Sequence, residues 1–292
     1  MAAPASKRLR CIQRSVDRHW VGDGFPVRTL LAYPNLGSVI DPFLLLDYAG
    51  PAEFPPTEAR LGVGEHPHRG FETVTIAFKG KIAHRDSAGN GGVIGPGEVQ
   101  WMTAGNGVLH NEFHEEGFAR QGGVLHMIQI WVNLPREHKR VAPKYQALTG
   151  DTIRSATLPE DKGVVRVISG AFEDARGPAE TFSPAHVLDL RLKPAAQVRL
   201  PTPKDYNTAL LVLEGELKAN GSRAVSGEFI LFKNDGDEVL VESLTDATVV
   251  FLSGAPIEEP LVHYGPFVMN SVDEINEAVD DFNSGRFGHL SD

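Results

Sequence analysis

HPHRGFETVTIAFKGKIAHRD, His66 to Asp86, opens with two histidines at alternate positions and continues as apolar residues alternating with small or polar ones up to a glycine. Side chains of an extended strand point to opposite faces in turn, so His66 and His68 project to one side. Val74 to Asp86 reads as a hairpin about Lys79 and Gly80. Downstream, VIGPGEVQWMTAG turns at Pro96 and Gly97. VLHMIQIWVNL, Val124 to Leu134, is a strong strand with Trp131 among β-branched neighbours. Between these lies HNE, His110 to Glu112, in which the same period of two puts His110 and Glu112 on one face. Two such strands lining a barrel offer three imidazoles and a carboxylate to one point. Either pair alone is a weak signal, and His114 with Glu116 forms a second pair of the same kind. The strand-rich, glycine-punctuated context raises it.

The bulk composition agrees. The 292 residues suit one large domain or two ordinary ones, and 41% hydrophobic with 23% charged residues can build a packed core. Thirty glycines and twenty prolines favour many turns and short strands. A formal charge of −10 repels phosphate backbones, so no direct nucleic-acid partner is expected. The basic cluster Lys7, Arg8 and Arg10 reads as a solvated arm. The lone Cys11 excludes an internal disulfide and thiolate clusters. No apolar run approaches the ~20 residues that span a bilayer, and the start of the chain has no signal-peptide character. No membrane partner and a cytoplasmic location are expected, or a nuclear one if the source is eukaryotic.

The chain repeats itself. AFKGKI (Ala77–Ile82) parallels VLEGEL (Val212–Leu217), and PGEVQWM (Pro96–Met102) parallels SGEFILF (Ser226–Phe232). The expectation is an all-β protein of two β-domains, 1–135 and 136–292, separated by a Pro- and charge-rich connector beginning at Pro135. One confident helix lies near the end. Ser271 is its N-cap with Glu274 three residues on, Val272, Ile275, Val279 and Phe282 form its apolar face, and Gly285 ends it.

The phrases PHRGFETVT and QWMTAGNGVLHNE resemble the pirin branch of the cupins, and EEPLVHYGPFVMN, Glu258 to Asn270, is similar to the pirin C-terminal signature. The resemblance covers most of the chain. It implies two cupin domains, each a jelly-roll β-sandwich or barrel, with a metal in the N-terminal one held by His66, His68, His110 and Glu112. The ordinary cupin uses the glutamate of its first motif, here Glu72. The pirin-like phrase favours Glu112, which leaves Glu72 to accept a hydrogen bond from a ligand imidazole, or to pair with Arg69 or Arg85. The usual second cupin motif is absent, since His110 lies 13 residues beyond Gly97.

Counting from the matched glycines, His66 and His68 become Pro201 and Pro203 in the repeat, and His110 becomes Leu240, while Glu242 keeps the acidic position. The C-terminal domain is therefore expected to be degenerate and without metal. His84 could line the pocket but reads more simply as a structural histidine. His126 reads as facing the core, and His186, His263 and His289 have no ligand-type neighbours.

Nitrogen and oxygen ligation suits one divalent transition metal, iron first, with Mn, Co, Ni, Cu or Zn compatible. Four protein ligands on an octahedral ion leave two positions for a chelating substrate, or for substrate and dioxygen. The resemblance implies quercetin 2,3-dioxygenase activity: O2 opens the ring of a flavonol, and Glu112 beside the metal takes the 3-hydroxyl proton. Phe71, Val108 and Phe113 are candidates to flank the flat substrate, although strand parity sets Phe71 and Phe113 on the far side. The alternative is a metal-dependent redox-sensing regulator that binds a transcription factor or enzyme partner, as some pirins are associated with nuclear transcription factors. A third reading is hydrolase or isomerase activity on the same fold.

Overall fold

The computed structural model describes residues 5–14, 17–33 and 37–290. It is all-β, with a C-terminal helix Val272–Asn283 and only short helical turns elsewhere among the described residues. No helix there is long and apolar enough to cross a membrane. The contacts divide the chain into two units. One comprises Val16–Ser38, Phe43–Thr149 and Ile257–Asp292, the other Met1–Ser15, Val39–Pro42 and Gly150–Pro256. This differs from a single cut after residue 135. The strand Leu9–Gln13 pairs with Phe229–Phe232 in the later unit, and the C-terminal helix packs within the earlier one.

Among the described residues, each unit is a sandwich of one seven-stranded and one four-stranded antiparallel sheet, with a separate two-stranded ribbon. In the earlier unit the smaller sheet runs Gly62–His68, Val108–His114, Ile82–Asp86, Gly91–Ile94; in the later one it runs Gln197–Pro201, Glu238–Ser243, Glu216–Ala219, Ser222–Val225. The larger sheets match position for position as well. One position is filled differently: Lys144–Leu148 borders Val99–Thr103, whereas the N-terminal strand Leu9–Gln13 borders Phe229–Phe232. The repeated phrases are thus one fold used twice. Its corners are Gly80 and Gly215 at φ 81 and 86, and Gly97 and Gly227 at φ 83 and 84, a backbone region that glycine enters without steric cost.

Two local expectations are corrected. Phe71–Lys79 and Ile82–Asp86 are not a hairpin. Phe71–Lys79 is already bounded by Val99–Thr103 and Gly123–Asn133, so the chain turns at Gly80 into the other sheet, and it crosses back at Gly97. Lys7 is not part of a solvated arm. It is fully buried and donates to the carbonyls of Lys204 and Tyr206 at 2.9 and 3.1 Å, while Arg8 pairs with Asp235 at 2.6 Å.

The C-terminal helix has the expected cap, Ser271 Oγ accepting from the Glu274 amide at 3.3 Å. Its buried line is Ile275, Ala278 and Asp281, with Val272 and Phe282 exposed. Asp281 faces inward because a buried arginine meets it there, a pairing the apolar pattern could not show.

Candidate metal centre

The interior of the earlier unit changes character along its strands. Ala77, Ile82 and Met127 belong to an apolar cluster with Phe25, Val27 and Leu125. Two residues along the same faces stand Thr75, His84 and Gln129. This polar end holds the predicted ligands. His66 and His110 are cross-strand partners, and their ring centroids lie 4.2 Å apart. The His68 ring is 4.8 Å from that of His110 and 4.9 Å from that of His66. One potential ligand nitrogen from each of the three lies within 4.8 Å of the others. His84, His110 and Glu112 form a second such group, so His110 is common to both.

The protonation pattern suits a cation. Burial first, then neighbouring imidazoles, holds the pKa of His68 and His110 well below the ordinary value, so both are neutral, the form that binds metal. The His66 Nδ1 contacts the Gly64 carbonyl at 2.8 Å and so carries the proton, which leaves the Nε2 lone pair free. His68 Nδ1 and His110 Nε2 are buried without a hydrogen-bond partner. Unpaired buried nitrogens are costly, and a cation between the three rings would satisfy them.

Glu112 is anchored by three side chains. Gln100 Nε2 makes a short bond to Oε1, Thr75 Oγ1 donates to Oε1 at 3.4 Å, and Gln129 Nε2 donates to Oε2 at 2.8 Å. Thr75 Oγ1 in turn accepts from both amides at 3.2 and 3.3 Å. Since a carboxylate has about four acceptor sites, one remains, on Oε2. Gln100, Gln129 and Thr75 escaped the sequence reading. Their signal is a polar residue on the inner face of an otherwise apolar strand, VQWMT, HMIQIWV and ETVTIAF, where it must find a buried partner.

Glu72 does not accept from a ligand imidazole, nor does it pair with Arg69 or Arg85. Its carboxylate receives Thr103 Oγ1 at 2.7 Å, on the face opposite Thr75. The strand ends at His68 and the chain turns at Gly70, φ 86, so the alternation counted from the histidines does not carry across. Burial raises the Glu72 pKa to about 7. The same break brings Phe71 to the inner face, where its ring centroid is 5.0 Å from that of His68 and 4.3 Å from that of Trp131. Val108 is buried opposite His68. Phe113 points away, under the Arg60 guanidinium at 3.8 Å, in an outer cleft of about 840 Å³ that also takes in Arg85 and Asn111.

His84 is more than a packed ring: its Nδ1 lies 3.4 Å from His110 Nδ1. His126 is buried beside Tyr48, 3.2 Å from its hydroxyl. In the later unit, strand parity corrects the residue count. Pro201, Leu240 and Glu242 are not core residues; the interior positions are Val198, Leu200, Val239 and Val241, aliphatic side chains without donor atoms.

Comparison with known proteins agrees with the two-domain fold. The Pirin family model matches residues 24–132, and the model described as the Pirin C-terminal cupin domain matches residues 187–288. A Pseudomonas aeruginosa protein named "Putative quercetin 2,3-dioxygenase" is 49% identical over 96% of this chain and 98% of its own. A Caulobacter vibrioides "Pirin-like protein" is 40% identical over 91% of this chain and 94% of its own. The crystal structure of a quercetin 2,3-dioxygenase from Acinetobacter baumannii superposes with a TM-score of 0.95 at 46% identity, covering 98% of this chain and all of that one.

Proposed function

The chain belongs to the pirin family, and on that premise we propose that it is a metal-dependent dioxygenase that opens the ring of quercetin or a similar flavonol with O2. The observation that carries this reading is the group His66, His68 and His110, the last two buried with unpartnered nitrogens, in which His110 is shared with a second group that contains Glu112. His66, His68, His110 and Glu112 would hold one divalent ion, iron first in our assignment. Such an ion supplies Lewis acidity to a chelating hydroxy-ketone and makes O2 reactive toward it.

The chain's own residues do the rest. The open acceptor site on Glu112 Oε2 either helps hold the ion or takes the proton of the substrate's 3-hydroxyl, one at a time, because the other sites are filled. Gln100 and Gln129 keep that oxygen aimed while its role changes. Trp131, partly buried and backed by the fully buried Phe71, forms an apolar wall against His68 suited to a flat aromatic ring. The two rings also keep water from the reacting centre.

Carbon monoxide release tests the assignment. Metal-loaded protein should release it from quercetin and release little from a flavone lacking the 3-hydroxyl. If several flavonols yield none, while a protein partner binds differently to the two oxidation states of the metal, the regulator reading replaces the enzyme.

A further inference from the structure

We infer that His84 and Asp86 are positioning residues that fix the proton of His110 on Nδ1 and so hold its Nε2 ready for the metal. The inference rests on the reading of His110 as a ligand and extends it to two residues outside the ligand set.

His84 and Asp86 share the inner face of the strand Ile82–Asp86, and the neighbouring strand places Asp86 opposite His110 and His84 opposite Glu112. Every group around Asp86 is a donor. Oδ1 accepts from the amides of Ala88 and Asn90 at 2.9 Å, and Asn90 Nδ2 reaches Oδ2 at 3.0 Å. His84 Nε2, 3.4 Å from Oδ2, therefore donates to it. With its hydrogen on Nε2, His84 presents the lone pair of Nδ1, and the group facing that lone pair is His110 Nδ1 at 3.4 Å. Two lone pairs cannot make that contact, so His110 carries its hydrogen on Nδ1 and its lone pair on Nε2. That Nε2 is one of the buried nitrogens with no partner.

The ring of Tyr145 lies nearly parallel to that of His84, 14° and 4.8 Å between centroids, and holds the plane of the relay. Both contacts in the chain are longer than an ordinary N–H···O bond, which suits control of tautomer and orientation more than large stabilisation. A histidine that binds metal through one nitrogen commonly donates the other N–H to an outer partner, and loss of that partner weakens binding about 10- to 100-fold.

The competing reading takes His84, His110 and Glu112 as a cation site of their own. It requires His110 Nδ1 to lose the hydrogen assigned here.

Full-length protein at pH 8 separates the two, with Zn2+ as probe and a chromophoric chelator as competitor. His84→Phe keeps a ring against Tyr145 but accepts nothing, whereas His84→Gln can accept from His110 through its amide oxygen. The expected result is one Zn2+ per wild-type chain, about 10- to 100-fold weaker binding in His84→Phe, and a much smaller loss in His84→Gln. Both metal-free variants should unfold cooperatively, His84→Phe at a somewhat lower temperature than wild type because His110 Nδ1 loses its acceptor. Long-range 15N–1H spectra of the metal-free wild type should show His110 protonated on Nδ1. Equal affinity in all three proteins, or a His110 proton on Nε2, overturns the relay. Two Zn2+ in wild type and one in His84→Phe establish the competing cation site instead. No Zn2+ in wild type overturns the ligand reading beneath the proposal.

Discussion

The Arg69 guanidinium donates to Asp281 Oδ2 at 2.7 Å, joining the residue after His68 to the C-terminal helix. Both are buried, and Arg69 also donates to the Asn106 carbonyl at 2.7 Å. Its backbone amide and carbonyl bond Pro266 and Val268, at 3.3 and 3.0 Å. The tail of the chain thus clamps the segment that carries a candidate ligand.

Asp281→Ala leaves the buried Arg69 charge without its carboxylate. Loss of one partner of a buried pair typically costs about 3 kcal/mol. Urea unfolding of the metal-free protein should show a loss of that order. Zn2+ affinity should fall too, because His68 is one residue from the broken clamp. Unchanged affinity in a destabilised variant would restrict the clamp to a structural role.

Glu72 gives a pH signature. Burial raises its folded-state pKa from 4.5 to about 7, so the folded protein holds a proton that the unfolded chain releases earlier. Its contribution is complete below pH ~4.5 and is lost as pH rises through about 7, an effect of at most roughly 3 kcal/mol. Glu72→Gln should flatten the fall in urea-unfolding free energy between pH 5 and 8 while leaving the metal content unchanged. A variant that keeps the wild-type slope would assign the fall to other groups.

Glu112→Gln turns an acceptor toward Gln100 and Gln129 into a group that is half donor. The facing amides then compete, at a cost of about 1–3 kcal/mol for a polar group left unpaired. Metal binding should weaken far more than in Glu72→Gln. If Glu72→Gln empties the site and Glu112→Gln leaves it full, the ordinary cupin ligand set applies to this chain.

Stoichiometry bears on the later unit. Val198, Leu200, Val239 and Val241 face its interior, so elemental analysis of loaded protein should give one metal per chain. His66→Ala, His68→Ala and His110→Ala should each abolish most of it. Metal retained in all three would place an ion elsewhere.

What the sequence disclosed follows from local geometry. Alternation within one strand paired His66 with His68 and His110 with Glu112, and repeated glycine corners exposed the duplicated fold. What it concealed lies across breaks in that geometry. The turn at Gly70 reversed the expected faces of Phe71 and Glu72, and counting from Gly227 placed Leu240 and Glu242 on the wrong parity. Pairing of Leu9–Gln13 with Phe229–Phe232 spans most of the chain and leaves no local pattern. Gln100 and Gln129 gain meaning only once Glu112 is seen between them.

Oxygen uptake by iron-loaded protein with quercetin tests the central claim most directly. The account predicts consumption of O2 in step with loss of quercetin, abolished by removing the metal and reduced at least ~100-fold in His110→Ala, as expected when a group essential to the reaction is lost. No uptake by metal-replete wild type, or equal uptake by wild type and His110→Ala, would contradict it.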